Sequence, residues 1–135
     1  MSADKHVAEK HVGTFCEYVD VNELRSLLQQ FSDTTGYVVR LFSYPQKQEL
    51  FHTKFHDVCR LFHSTHPESK KLCTEHTRIL FDKIAKGKST VVRTCGNGLI
   101  EEACLIRING QPVAVLCAGH VFFAECNEDQ VCAHA

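Results

Sequence analysis

The sequence predicts an α+β domain, with an antiparallel β-sheet and helices on one face. Apolar residues recur at helical spacing over residues 20–31, 54–64 and 67–86, whereas the last third consists of strand-like runs separated by tight turns. The predicted order is helix, two strands, two helices and three strands. Strands that follow one another through short turns form antiparallel sheets, which bury one face against helices.

The first predicted helix begins at Asp20, which stands three residues before Glu23 in the spacing of a capping box. Four apolar residues then share one helical face: Leu24, Leu27, Leu28 and Phe31. Gly36 is expected to end this helix. The β-branched and aromatic residues at 37–43 predict a strand, and residues 49–53 predict a short second strand.

The second half of the chain is predicted to contain two helices and then three strands. Residues 54–64 keep the helical spacing, and Pro67 opens a further helix that reaches Lys86 before Gly87. The strands are predicted over residues 89–94, 99–108 and 112–118, the last extended by residues 120–123. Tight turns join them at Cys95-Gly96-Asn97-Gly98 and at Asn109-Gly110.

One folded domain is expected to account for most of the 135 residues, a length that suits a single core. We expect a flexible N-terminal arm over residues 1–19, the domain over residues 20–123 and a C-terminal tail over residues 124–135. The polar start lacks the apolar segment of a secretory signal, and no apolar run reaches the length of about 18 residues that a membrane span needs. These features predict a cytoplasmic protein with no membrane partner.

Charge and motif content argue against several classes of function. The sequence has 15 Lys and Arg residues and 16 Asp and Glu residues, so no net positive charge favours direct binding of nucleic acid. No nucleophile elbow, P-loop or HExxH motif is present, and we expect no enzymatic activity. A thiol-dependent enzyme is kept as an alternative, because catalytic Cys and His residues need not be close in sequence.

The unusual feature is a content of eight cysteines and nine histidines. In a reducing cytosol such thiols serve in metal sites, in redox chemistry or as small core residues rather than in disulfides. Two His/Cys pairs at helical i, i+3 spacing suit a tetrahedral site: His56 with Cys59, and Cys73 with His76. The alternative expectation is that zinc or an iron–sulfur cluster binds to Cys59, Cys73 and Cys95 together with Cys104 or Cys117.

His120 stands near the end of an apolar strand (VAVLCAGHVFF), where the rim of a sheet often meets a pocket. Two interpretations are open for this residue. Its ring contacts a ligand, or it is a histidine at the rim of the core whose hydrogen bonds are all made within the protein. For Cys59, Cys104 and Cys117 the competing interpretation is burial as small apolar residues.

Five motifs occur in an order that is typical of one family: Val58-Cys59, Lys71-Leu72-Cys73, Val92-Arg93-Thr94-Cys95-Gly96-Asn97-Gly98-Leu99, Ile108-Asn109-Gly110 and Ala118-Gly119-His120-Val121. With these motifs the chain from Asp20 to Phe123 resembles the PocR-type sensory domain, a ligand-binding module of bacterial and archaeal signalling proteins. The resemblance implies a PAS/GAF-like fold, in which helices pack around an antiparallel sheet and a small-molecule pocket lies against it.

The resemblance also implies a regulatory role and a set of site residues. Family members are thought to sense simple compounds such as short diols, and are joined to AraC-type DNA-binding or histidine-kinase modules. The positions that match the family pattern are Cys59, Cys73, Cys95, Gly98 and Leu99. His120 stands where the family usually has Gln, Ala118 stands where it usually has Gly, and Cys104 and Cys117 are additions. These departures favour a metal, haem or cluster-bound signal over a simple diol.

We therefore expect a sensory domain that binds a small ligand, or a metal or iron–sulfur centre, through a cysteine-lined pocket. It would signal to a partner protein or within a homodimer, by analogy through the helix at residues 20–31. The alternative is a metal-free sensor of a small organic compound. The expected ligand-binding residues are Cys95, Gly98, Leu99, Cys104, Cys117 and His120. The expected metal ligands, for zinc or an iron–sulfur cluster, are Cys59, Cys73, Cys95 and Cys117.

Overall fold

The computed structural model describes residues 15–55 and 66–121. Their elements, in chain order, are α1 (Val21–Thr35), β1 (Val38–Ser43), β2 (Glu49–His52), α2 (Pro67–Ala85), β3 (Thr90–Thr94), β4 (Ile100–Ile108) and β5 (Gln111–Val121). All of these elements were predicted in this order, with ends that differ by a few residues. The helix that was predicted over residues 54–64 falls almost entirely outside the described residues.

The strands form an open antiparallel sheet in the order β2-β1-β5-β4-β3. β1 pairs with β2 in the register Arg40 to His52, with an irregularity between Leu41 and Phe42. Asn109 and Gly110 join β4 to β5 with φ angles of 52° and 78°, the left-handed pair that two-residue hairpins need. The sheet and its helices confirm the predicted α+β class, in an arrangement consistent with a PAS/GAF-like fold.

Helix α1 begins and ends at the expected residues. The Asp20 side chain accepts hydrogen bonds from the backbone N–H groups of Asn22 and Glu23, at 3.0 and 3.2 Å. Gly36 ends the helix in the left-handed conformation, with φ of 78°. The predicted apolar face is buried only in part: Leu28 is 8% exposed, whereas Leu27 is 62% and Phe31 is 42% exposed.

The chain divides into two compact units, of which the first comprises, among the described residues, 15–53 and 104–117. Its buried cluster contains Phe15, Leu41, Val113 and Ala114. Phe15 lies within the segment that was expected to be a flexible arm, yet it is 2% exposed and begins a helical turn over residues 15–18. Burial of its aromatic ring in an apolar cluster is the physical reason for order at this point.

The second unit comprises, among the described residues, 54–55, 66–103 and 118–121. Helix α2 opens at Pro67 and buries one side of its last three turns, with His76, Leu80, Phe81 and Ile84. On its exposed side the Arg78 guanidinium hydrogen-bonds Glu75 and lowers the pKa of that carboxyl group. Neither helix that the structure describes is long and apolar enough to cross a membrane.

Candidate functional site

The second unit contains a buried carboxylate, Glu101 of β4, which is 1% exposed. Two imidazole rings contact it, one at each oxygen. The Nε2 atom of His76 lies 3.0 Å from Oε1, and the Nε2 atom of His120 lies 2.9 Å from Oε2. A buried carboxylate is costly unless it is hydrogen-bonded, and these two contacts offset part of that cost.

His76 connects Glu101 to a cation. The ring is 4% exposed on α2, and its Nδ1 atom lies 2.7 Å from a terminal nitrogen of Arg93, on β3. Arginine has only donor groups, so Nδ1 of His76 accepts this bond and the ring proton is on Nε2. His76 therefore donates to Glu101. Arg93, His76 and Glu101 form one directed hydrogen-bond chain across β3, α2 and β4.

His120 is placed by an unusual stretch of β5. Gly119 has a φ of 139°, and a Cβ atom at this residue would lie 2.5 Å from the carbonyl oxygen of Ile100. Only glycine permits so close an approach of β5 to β4. His120 follows with a φ of 59°, in the left-handed region that non-glycine residues rarely adopt. Such backbone conformations are concentrated at functional sites.

The imidazole ring of His120 is largely enclosed. Its side chain is 14% exposed, and the ring of Phe55 stacks on it with centroids 5.8 Å apart and planes inclined by 12°. Nε2 hydrogen-bonds Glu101, whereas Nδ1 is buried and has no hydrogen-bond partner among the described residues. An unsatisfied buried nitrogen beside a fully bonded carboxylate is a position where a ligand gains a hydrogen bond.

The tight turn predicted at residues 95–98 is confirmed, and it leads directly into β4. The N–H of Cys95 donates to the carbonyl of Leu99 at 2.7 Å, and the N–H of Gly98 donates to the carbonyl of Cys95 at 2.9 Å. The N–H of Leu99 also contacts the sulfur of Cys95 at 3.4 Å. Gly98 has a φ of 92°, which explains why glycine is required there.

Helix α2 packs against this turn through residues that carry the family motifs. Asn97 is 4% exposed, and its amide contacts the Ser69 carbonyl at 3.4 Å and the Cys73 sulfur at 3.6 Å. A Cβ atom at Gly96 would lie 2.9 Å from the Leu72 side chain. The structure thus brings four of the expected site residues to one turn: Cys73, Cys95, Gly98 and Leu99.

The remaining expected site residues belong to the first unit or fall outside the described residues, except for His120. Cys104 is half-buried and Cys117 is 1% exposed, and both belong to the first unit. Cys59 falls outside the described residues, as do His56, Cys126 and Cys132. No disulfide joins any two of the described cysteines.

The metal ligands Cys59, Cys73, Cys95 and Cys117 stay a prediction. Within residues 15–55 and 66–121, no three His, Cys, Asp or Glu side chains are grouped so that they could hold a metal ion. His76 and His120 are no exception, because both use Nε2 to hydrogen-bond the Glu101 carboxylate.

Glu101 was not identified from the sequence, although the pattern of β4 contains a signal for it. Residues of a strand alternate between its two faces. Leu99, Glu101 and Ala103 are 3%, 1% and 0% exposed, so the carboxylate occupies an inward position between two apolar residues. A charged residue in such a position predicts a buried partner of opposite charge or a functional site.

The comparisons with known proteins bear on what these residues do. The family model described as the sensory domain found in PocR matches residues 17–135, which include the segment expected to be a C-terminal tail. No curated protein and no solved structure shows a significant match to the chain. A match over nearly the whole length shows the family, and the chain therefore belongs to the PocR sensory domains.

Proposed function

We propose that this sensory domain binds a small polar molecule beside His120, in the second unit. The observation that carries the proposal is the buried Nδ1 atom of His120, which has no partner among the described residues while Nε2 is held by Glu101. A ligand that supplies the missing hydrogen bond stabilises the arrangement in which Glu101 joins His76 and His120. Differential stabilisation of one conformation is how a sensory domain converts binding into a signal.

The turn of Cys95, Gly98 and Leu99 is proposed as a second part of the same site. Its last residue, Leu99, lies two residues before Glu101, directly ahead of β4, and Cys73 of α2 contacts its residue Asn97. This arrangement supports a cysteine-lined side of the ligand site. The expected contributions of Cys104 and Cys117 remain predictions, as does that of Cys59.

A screen of small polar compounds by thermal unfolding tests the ligand site. A compound present at 100 times its dissociation constant stabilises the folded state by about 2.7 kcal/mol, which raises the melting temperature measurably. We expect a compound that does so for the wild-type protein and for His66→Ala, an exposed histidine at the start of α2, but not for His120→Ala. Equal stabilisation of all three proteins would contradict the proposal.

A metal or iron–sulfur centre at Cys73 and Cys95, two thiols of the second unit, together with Cys59 is the second candidate. It is supported by the cysteine content and by the two thiols, Cys73 and Cys95, that meet the turn before β4. Purification without oxygen, followed by visible absorption and metal analysis, tests it. Stoichiometric iron or zinc that is lost in Cys73→Ser supports the centre, and colourless protein without metal refutes it.

A catalytic role receives less support than sensing, because the family is described as a sensory domain. A thiol-dependent enzyme would need one cysteine with a strongly lowered pKa. Labelling of the intact protein with iodoacetamide at mildly acidic pH, read by mass spectrometry, distinguishes the two roles. Uniform and slow labelling of the cysteines is the result that we expect.

For signalling we propose pairing of two copies through α1. Leu27 and Phe31 lie on one side of this helix and are 62% and 42% exposed, and Tyr37, 41% exposed, contacts the Phe31 ring edge-on with centroids 6.0 Å apart. Large exposed apolar side chains that adjoin one another are typical of interaction surfaces.

A further inference from the structure

We infer that Arg93 and His76 are positioning residues that set the Nδ1 atom of His120 as a hydrogen-bond acceptor. The ligand group that binds there is then a donor, such as a hydroxyl or an ammonium group, and not an ionised carboxylate. The inference rests on the proposed ligand site beside His120. Neither Arg93 nor His76 needs to contact the ligand, because both act through Glu101.

The first step is the direction of the bonds on His76. Arg93 lies 2.7 Å from Nδ1 of His76 and can only donate. His76 must therefore present its proton on Nε2, 3.0 Å from Oε1 of Glu101. A ring held in this way remains neutral, because a second proton on Nδ1 would oppose the Arg93 donor.

The second step concerns charge. Glu101 is 1% exposed, and a buried carboxylate needs a compensating cation and donors to both oxygens. In the described chain of hydrogen bonds, Arg93 is the cation, and His76 transmits its effect to Glu101. Because Arg93 already balances the carboxylate, His120 has no electrostatic reason to carry a second positive charge. Charge-assisted bonding then favours ionised Glu101 accepting from the Nε2–H of neutral His120.

The third step is the consequence for Nδ1 of His120. With the ring proton on Nε2, Nδ1 presents a lone pair. Nδ1 is buried, and no described residue hydrogen-bonds it. A doubly protonated ring would instead bury an unpaired N–H donor, which costs about 1–3 kcal/mol. A hydroxyl or ammonium group satisfies a lone pair by donating to it. The oxygens of an ionised carboxylate have nothing to donate and are repelled by it.

The experiment uses the full chain with ¹⁵N-labelled histidine and long-range ¹H–¹⁵N NMR, which reports the protonation of each ring nitrogen. We expect His76 and His120 to be neutral with the proton on Nε2. The ¹⁵N chemical shift of Nδ1 of His120 should then be that of an unprotonated ring nitrogen. Three probes that share the isopropyl group are then added: isopropanol, isopropylammonium and isobutyrate. Isopropanol and isopropylammonium distinguish the two donor sources, and the expected result is a shift of the Nδ1 signal by one or both but not by isobutyrate.

Two substitutions of Arg93 test the positioning role. Arg93→Met removes the cation and the donor, so Nδ1 of His76 loses its partner and this hydrogen-bond chain loses its positive charge. We expect one of the two histidines that hold Glu101 to gain a second ring proton, on its Nδ1 atom, in this variant. Where that ring is His120, isobutyrate should shift its signal while isopropanol does not. Arg93→Lys keeps a cation that can donate to His76, and its spectra should match those of the wild type. A purely structural role of Arg93 would leave both rings with a single proton on Nε2.

The outcomes separate this inference from the proposed ligand site. A proton on Nδ1 of wild-type His120, or an equal response to isobutyrate and to the donors, overturns the inference even if the site binds ligands. If none of the three probes shifts the His120 signals, the proposed ligand site fails, whereas the protonation pattern still decides the positioning role. If Arg93→Met does not fold, the wild type and Arg93→Lys still give both decisive measurements.

Discussion

At the residue scale, Glu101 determines the character of the second unit. It is a buried charge on the inward face of β4, held by one histidine from α2 and one from β5. Neighbouring Glu102 points to the other face and is exposed, so two adjacent carboxylates of one strand have opposite environments. This pair provides a matched comparison of a buried and an exposed glutamate in the same local sequence.

Glu101→Gln should lower the free energy of unfolding by about 2 kcal/mol, because an amide presents an N–H₂ group to one imidazole donor and removes the charge that both bonds rely on. Glu102→Gln is the control and should stay within about 0.5 kcal/mol of the wild type. Urea denaturation followed by circular dichroism measures both. An equal effect of the two substitutions would show that Glu101 is not held by the two histidines.

At the element scale, the close approach of β5 to β4 at Gly119 sets the position of His120. Gly110, in the hairpin between β4 and β5, also has a positive φ. Apart from the residues next to it in the chain, however, no atom lies within 4 Å of the position that a Cβ atom would take there. Gly119 is therefore required for conformation and for space, whereas Gly110 is required for conformation alone.

Gly119→Ala should cost about 3 kcal/mol or more in unfolding free energy, since the added methyl group meets the Ile100 carbonyl at 2.5 Å in addition to the strain of a positive φ. Gly110→Ala should cost about 1–2 kcal/mol, the value for a left-handed conformation alone. Thermal and urea unfolding of the two variants compare them directly. If Gly110→Ala proved the more harmful, the close approach of β5 to β4 would not be limiting.

The cap of α1 is a second feature at this scale, and its sequence signature was correctly interpreted. Asp20→Ala should destabilise the protein by about 1 kcal/mol, because two N–H groups of the first helical turn lose their acceptor. Asp33→Ala, which removes only an exposed contact to Gln29, is the matched control and should have little effect. Chemical denaturation distinguishes them, and a smaller loss for Asp20→Ala than for Asp33→Ala would contradict the capping role.

At the scale of the whole molecule, the chain belongs to a family of sensory domains and divides into two compact units. The first unit contains α1 with its exposed apolar side chains, and the second contains the network around Glu101. The proposed interaction surface and the proposed ligand site therefore belong to different units. In a sensor, two distinct sites are what permits one to respond to the other.

If two copies pair through α1, Leu27→Glu combined with Phe31→Glu should convert a dimer to a monomer, because charge would be placed in a desolvated apolar contact. Ser26→Glu, an exposed position on another side of the same helix, should leave the dimer intact. Light scattering coupled to gel filtration measures the mass. A monomeric wild-type protein at high concentration, or a dimer that survives the double substitution, would contradict pairing through this surface.

The local structure of this protein could be predicted from its amino-acid sequence. Helical spacing, the Asp20 cap, the turn at residues 95–98 and the Asn109-Gly110 hairpin depend on neighbouring residues, and the structure has each of them. The family motifs likewise identified the turn that Cys73, Cys95, Gly98 and Leu99 share.

The contacts between residues far apart in the chain, in contrast, follow from how the elements pack together. Glu101 contacts His76 and His120, which lie 25 and 19 residues away, and no local pattern specifies either contact. The same holds for Phe15, whose burial depends on residues of β1 and β5. Periodicity records which face of an element a side chain occupies, but the partner across that face is chosen by how the elements pack. The proposed function therefore rests on contacts that become visible only once the sheet and helices are assembled.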